Sequence, residues 1–231
     1  MPYAPIGGLP RHGGLVTATP RHVFKGMPTF LRGSILQIDG ATSADAGNTG
    51  DVRYLRAGKL MGKITSGGQY APSIMGVTTG AVDGADTSIS AAAATVTELV
   101  RRVGASGTFK LVGPAAAAGT VVVTTVTYSA ASGTTITVTA PAVDAISGSF
   151  ICPTDGSEFP VTILAGLDGY PVRVVDADAA SEDQEFPQVA IGGEVDSSQI
   201  IDWPSDTSLQ SWIVSRLNGA EGGQFVFDHL Y

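Results

Sequence analysis

The sequence predicts a mainly β chain with a few helices (α+β): a small β barrel or sandwich-like body with an extended N-terminal arm and an inserted helix plus β-hairpin subdomain. Three observations predict it. Short stretches rich in β-branched residues recur along the chain, punctuated by Gly, Pro, Asn and Asp. The first 33 residues contain five Pro and six Gly, which resist both helix and central strand. Only two segments, within 88–104 and 206–219, repeat apolar residues at helical spacing. On this reading residues 1–33 are the arm, 34–80 and 160–231 form the body, and 81–159 are the insertion.

The arm carries spaced apolar groups, among them Tyr3, Ile6, Leu9, Leu15, Val16, Val23, Phe24, Met27, Phe30 and Leu31. A segment that cannot fold alone but bears such anchors is expected to lie along another surface, a partner's or its own body's. In 34–80 the strand-like runs are SILQID, VRYL, KLMGKIT and SIMGVTT. Alternation in Leu60–Ile64 followed by Ser66-Gly67-Gly68-Gln69 predicts a hairpin. The insertion opens with a helix over SISAAAATVTELVRRVG, where Val96, Leu99, Val100 and Val103 make one stripe and Gly104 stands at the C′ position. Strands TFKLVG, GTVVVTTVTYSA and GTTITVTA follow, the last two joined through Ser129–Gly133. After PVTIL, YPVRVVDA and PQVAIGGEV, a second helix starts at a capping box of Thr207 and Gln210, buries Leu209, Trp212, Ile213 and Leu217, and ends at Asn218-Gly219.

Charge is divided along the chain. Residues 1–63 hold eight Lys or Arg against three Asp, a net of +5, whereas from residue 111 onward two Arg face fifteen Asp or Glu, a net of −13. This polarity suits a chain with one end attached to an acidic surface, and equally a basic arm lying on its own acidic body. The overall charge of −8 and the lack of basic residues interleaved with aromatics argue against a nucleic-acid partner. The start lacks the apolar run of a signal peptide, and no stretch reaches the ~20 apolar residues of a membrane span. With one cysteine, Cys152, there is no internal disulfide, so a soluble, reducing setting without membrane contact is expected.

Few residues offer chemistry. His12, His22 and His229 all lie near the ends, so a histidine base within reach of a Ser or Cys nucleophile is not expected. Cys152 follows Phe150-Ile151 and reads as a small buried hydrophobe. The acidic run Asp176–Glu185 lacks the glycine and terminal spacing of a calcium loop, and reads as a solvated loop. Asp155, Glu158 and Asp168 are the only acid/base candidates, and Asp-Gly is also common turn chemistry between strands. No phosphate-cradling pattern occurs, because Gly7-Gly8 and Gly13-Gly14 have no strand before them and no helix after. The expectation is a non-enzymatic protein with no catalytic residue, no cofactor and no metal.

The run Leu55-Arg56-Ala57-Gly58-Lys59-Leu60-Met61-Gly62-Lys63-Ile64-Thr65-Ser66-Gly67-Gly68-Gln69-Tyr70-Ala71-Pro72 resembles a stretch of lambda-type phage head decoration proteins. Ser73-Ile74-Met75-Gly76-Val77 is similar to that family's following strand, and Gly169-Tyr170-Pro171-Val172-Arg173-Val174-Val175 resembles a later one. The resemblance covers about 50–80 and 160–231; residues 81–159 depart from the pattern. It implies a capsid-stabilising structural protein, a homotrimer on the outer surface of the virion's capsid, assembled in the host cytoplasm. Its partner would be the major capsid protein, to whose strands the arm would add. By residue type and position the docking candidates are Arg11, Arg21, Phe24, Lys25, Phe30 and Arg32. Alternatives are another virion part, such as a head fibre or tail-tube subunit, and an adhesive or carbohydrate-binding β module, which would show glycan affinity and an exposed aromatic platform.

Overall fold

The computed structural model describes residues 20–31, 36–39, 45, 53–115, 119–166, 169, 171–175, 184–186, 189–219 and 223–228. In chain order the elements are β1 (Thr29–Phe30), β2 (Leu36–Ile38), β3 (Arg53–Leu55), β4 (Leu60–Lys63), β5 (Tyr70–Pro72), β6 (Gly76–Val77), β7 (Ser88–Ser90) and α1 (Ala93–Val103). They continue as β8 (Gly107–Pro114), β9 (Val121–Ser132), β10 (Thr135–Val138), β11 (Phe150–Cys152), β12 (Pro160–Ile163), β13 (Val172–Val175), β14 (Gln184–Phe186), β15 (Ala190–Val195), α2 (Thr207–Gly219) and β16 (Gln224–Phe227). The protein is mainly β with two α-helices among the described residues.

The strands form four sheets, ordered β6-β11-β8-β9-β10-β7, β12-β4-β5-β2-β14, β1-β15-β16 and β13-β3. The six-stranded sheet curls until its ends meet: an antiparallel bridge between Thr78 and Ala91 joins the end of β6 to the end of β7, and the Thr79 amide donates to the Ser90 carbonyl at 2.8 Å. Its inward residues, among them Ile89, Phe109, Leu111, Val126, Tyr128, Ile136 and Ile151, fill the barrel-like interior with Val96 and Leu99 of α1. The barrel closure is thus built by residues 76–152, most of them in the segment read as an insertion.

Alternation along these strands also ties the barrel to the rest of the chain. Val112, Phe150 and Cys152 point the other way from Leu111 and Ile151, into a second cluster with Leu209, Ile213 and Leu217 of α2, Leu60, Ile163, Phe225 and Phe227. Helix α2 therefore packs on the outer face of a sheet whose inner face packs on α1. A third cluster gathers Ile38, Leu55, Met61, Tyr70, Leu164, Val172 and Val174. Leu60 and Met61, adjacent on β4, feed different clusters. Burying side chains of this size contributes about 1.5–3 kcal/mol each.

The hairpin over 60–72 forms as the sequence predicts, with the Ile64 amide donating to the Gln69 carbonyl at 2.8 Å. Gly67 and Gly68 supply φ of 101° and 78° in its turn. Helix α1 is shorter than expected, because Ser88–Ser90, with only Ile89 buried, pairs with β10 instead. It ends at Gly104, whose N–H donates to the Val100 carbonyl and whose φ of 117° turns the chain out of the helix. The cap of α2 is Asp206, not Thr207: its Oδ1 accepts from the amides of Ser208 and Leu209 at 2.9 and 3.0 Å. Gln210 donates to the Pro204 carbonyl at 2.9 Å. The β9–β10 connection is a two-residue turn at Gly133-Thr134, so Ser129–Ser132 extend β9 rather than forming the link. Among the described residues no helix is long and apolar enough to cross a membrane.

Candidate functional site

The docking candidates of the arm divide into two groups. Arg11 and Arg32 lie outside the described residues. Arg21, Phe24, Lys25 and Phe30 fall in the 20–31 stretch, which lies on the chain's own body. The Phe24 backbone bridges Val195, and Phe30 pairs with Ala190, so the segment runs antiparallel to β15. Val23 is buried in the α2 cluster, with Phe24 and Phe30 packed against it. Phe24 also faces Phe225 at 6.4 Å between ring centroids.

Polar contacts reinforce this placement. The Arg21 amide donates to the Gly169 carbonyl at 2.9 Å, and its guanidinium reaches the Gln199 carbonyl at 3.3 Å. Lys25 Nζ lies 3.0 Å from Asp228 Oδ2 and 3.8 Å from Glu194 Oε1. The hydrogen bond to Asp228 raises the Lys25 pKa above its ordinary 10.5, against a smaller opposing effect of desolvation. Over 20–31, then, Lys25 rests on acidic side chains and Arg21 on backbone carbonyls of the same chain. Met27 remains outward, 93% exposed.

Asp155 and Glu158 are brought together in one turn between β11 and β12, where three of their four carboxylate oxygens have structural partners. Asp155 Oδ1 accepts from the Ser157 amide at 2.9 Å and its hydroxyl at 2.5 Å. Asp155 Oδ2 accepts from Arg102 Nη2 at 3.1 Å. Glu158 Oε2 accepts from the Gly156 amide at 2.8 Å, and the residue is buried. This is the Asx-type turn that Asp-Gly favours, and it anchors Arg102 at the end of α1. Asp168 lies outside the described residues. Cys152 is buried in the α2 cluster, and burial pushes its thiol pKa upward, with Glu158 adding to the shift.

Sequence reasoning missed two side-chain groupings. Lys59 is buried, with Nζ 2.8 Å from Asp202 Oδ2 and 4.0 Å from Asp45 Oδ1, while Arg56 pairs with Asp45 at 2.7 Å. The partners are 143 positions apart for Lys59 and Asp202, so no local pattern could signal them. The second is the stack of Arg216 on Phe159 and Trp212; its i,i+4 half, Trp212 and Arg216, is visible in the sequence once α2 is placed.

An open cleft of about 250 Å³ lies at the start of α2, lined by Val77, Phe150, Trp203, Leu209 and the carboxylate-bearing Asp202 and Asp206, among others. Both carboxylates already have partners, in Lys59 and the helix cap. Among the described residues no three His, Cys, Asp or Glu converge as a metal site. The acidic run 176–183 is outside the described residues. No family model, curated protein or solved structure matches the chain.

Proposed function

We propose that this chain is a non-enzymatic structural protein of a phage virion that binds the outside of the capsid as a homotrimer and stabilises the shell. The observation that carries the proposal is the behaviour of residues 23–30. They add antiparallel to β15 and insert Val23, Phe24 and Phe30 as spaced anchors. Strand addition of this kind needs main-chain donors and side-chain anchors rather than special chemistry. Residues 1–19 share the same composition of Pro, Gly and spaced apolar groups, and add Arg11. They are the segment offered to the major capsid protein. Trimerisation would multiply a weak single-arm contact through effective concentration.

The use of Asp155, Glu158 and Cys152 in turn and core supports the non-enzymatic half of the reading. Because Phe24, Lys25 and Phe30 contact the chain's own body, the docking role is assigned first to the residues before Pro20, with Arg32 kept as a candidate. The test is co-sedimentation of the full chain and of a chain lacking residues 1–19 with assembled heads. The full chain binds at a fixed stoichiometry and the truncated one does not; equal binding by both sinks the arm's role.

A further inference from the structure

The cleft at the start of α2, about 250 Å³ in volume, combines apolar and polar lining. Phe150 and Leu209 reach it from the α2 cluster. Trp203 lines it while stacking on the buried Phe227, the ring centroids 5.1 Å apart at 16°. The polar lining comes from Asp202, Asp206, Ser147 and Ser205. The volume falls below the ~300 Å³ at the lower end of drug-sized pockets, which suits a ligand of about one ring.

Each carboxylate is held by one of its oxygens. Asp202 Oδ2 accepts from Lys59 Nζ at 2.8 Å, and Asp206 Oδ1 accepts from the Ser208 and Leu209 amides at 2.9 and 3.0 Å. The Asp202 backbone has φ of 64°, a conformation that residues with side chains visit sparingly. The preceding Ile201 amide fixes this turn by donating to the Gly58 carbonyl at 2.9 Å. The second oxygens, Asp202 Oδ1 and Asp206 Oδ2, have no hydrogen-bond partner among the described residues, and neither do the Ser147 and Ser205 hydroxyls or the Trp203 indole N–H. Water satisfies such groups in the free protein, and ligand hydroxyls can take its place. Part of the ordering cost is then met before binding.

Charge decides the class of ligand. Asp202 and Asp45 are balanced by Lys59 and Arg56, and the positive end of the α2 dipole offsets Asp206. The two carboxylates therefore keep acceptor capacity while much of their charge is already met, which favours neutral hydroxyl donors over a cation. An anionic ligand would be repelled. A pyranose ring carries hydroxyls around its rim and C–H groups on its faces, matching the polar and the apolar lining together. We propose that this cleft binds a single pyranose ring, the exposed end of a neutral glycan. The lining includes no residue of the N-terminal segment, and the proposal does not depend on the capsid reading.

The test follows the indole N–H signals of the full chain by NMR, with Trp203 assigned through Trp203→Phe and Trp212 as the internal reference. The probes are the methyl glycosides of glucose, galactose, mannose and N-acetylglucosamine, with xylitol as an open-chain polyol and methylguanidinium and calcium chloride as cations. The expected result is a saturable shift of the Trp203 signal at millimolar concentration with at least one glycoside, with Trp212 unmoved and no saturable response to xylitol. Asp206→Asn keeps the helix cap and replaces one carboxylate oxygen by an amide, so affinity should fall about tenfold, the loss of a charge-assisted hydrogen bond. Ser147→Tyr, a change at an exposed position of the lining, should abolish the shift by filling the cleft while the circular dichroism spectrum is kept. No saturable shift with any glycoside, an equal response to xylitol, or unchanged affinity in Asp206→Asn overturns the proposal. A stronger response to either cation also overturns it.

Discussion

Arg102, in the last turn of α1, donates to Asp155 Oδ2 at 3.1 Å in the turn between β11 and β12. The same guanidinium reaches Ser157 Oγ at 3.1 Å and the Pro72 carbonyl at 2.6 Å. One side chain therefore joins the helix filling the barrel to the β4–β5 hairpin and to the turn after β11. Burial lowers the Arg102 pKa, and the Asp155 carboxylate is the foremost influence opposing that shift. The pair is a structural clamp, and its energetics are testable.

Asp155→Asn should destabilise the fold by about 2–4 kcal/mol, the lower part of the range reflecting the partial exposure of Asp155, because it leaves a buried cation without its counter-charge. Urea unfolding monitored by circular dichroism measures it. A loss below about 0.5 kcal/mol, the level of an ordinary surface substitution, would contradict the clamp.

The start of α2 offers a paired comparison. Asp206→Ala should cost about 1 kcal/mol through the lost cap, whereas Thr207→Ala should leave stability nearly unchanged. Equal losses would instead restore the capping box centred on Thr207.

That one-residue error illustrates what the sequence makes legible here. The amphipathic stripes of α1 and α2, the 60–72 hairpin and the β-branched strands of 107–138 follow from local periodicity and turn chemistry. Local pattern places Ser88–Ser90 in the helix because Ser and Ala tolerate either state; its pairing with β10, 45 or more residues on, decides the outcome. Strand β16 carries the alternation of a strand in Gln224-Phe225-Val226-Phe227, but its parallel pairing with β15 is not legible from local pattern. The same limit applies to the site. Charge asymmetry alone does not choose between Lys25 facing a partner and Lys25 facing its own body, and the ion pair with Asp228 joins residues 203 positions apart. The Asp155-Gly156 turn was legible as turn chemistry, while its partner Arg102 was not.

Cys152 should resist thiol reagents in the native state. It is fully buried and its thiol is held protonated by desolvation, so little reactive thiolate is exposed. Labelling with a chromogenic disulfide should proceed at the rate of global unfolding and accelerate with urea. Rapid labelling of the folded chain would place the thiol outside the core.

Lys25 predicts a specific alkaline effect. Its folded pKa is raised above 10.5, so its contribution is present below that value and is lost as pH rises through the higher folded pKa. The melting temperature of the native sequence should therefore fall more between pH 9 and pH 12 than that of Lys25→Met. Identical falls would mean that the Lys25–Asp228 pair contributes nothing in solution.

Binding to assembled heads by the intact chain and by the chain lacking residues 1–19, compared by co-sedimentation with circular dichroism as the folding control, tests the proposed function most directly. The docking account predicts a folded truncated chain that stays in the supernatant while the intact chain pellets at a fixed ratio to the major capsid protein. An intact chain that fails to pellet, or a truncated chain that pellets equally well, would contradict it.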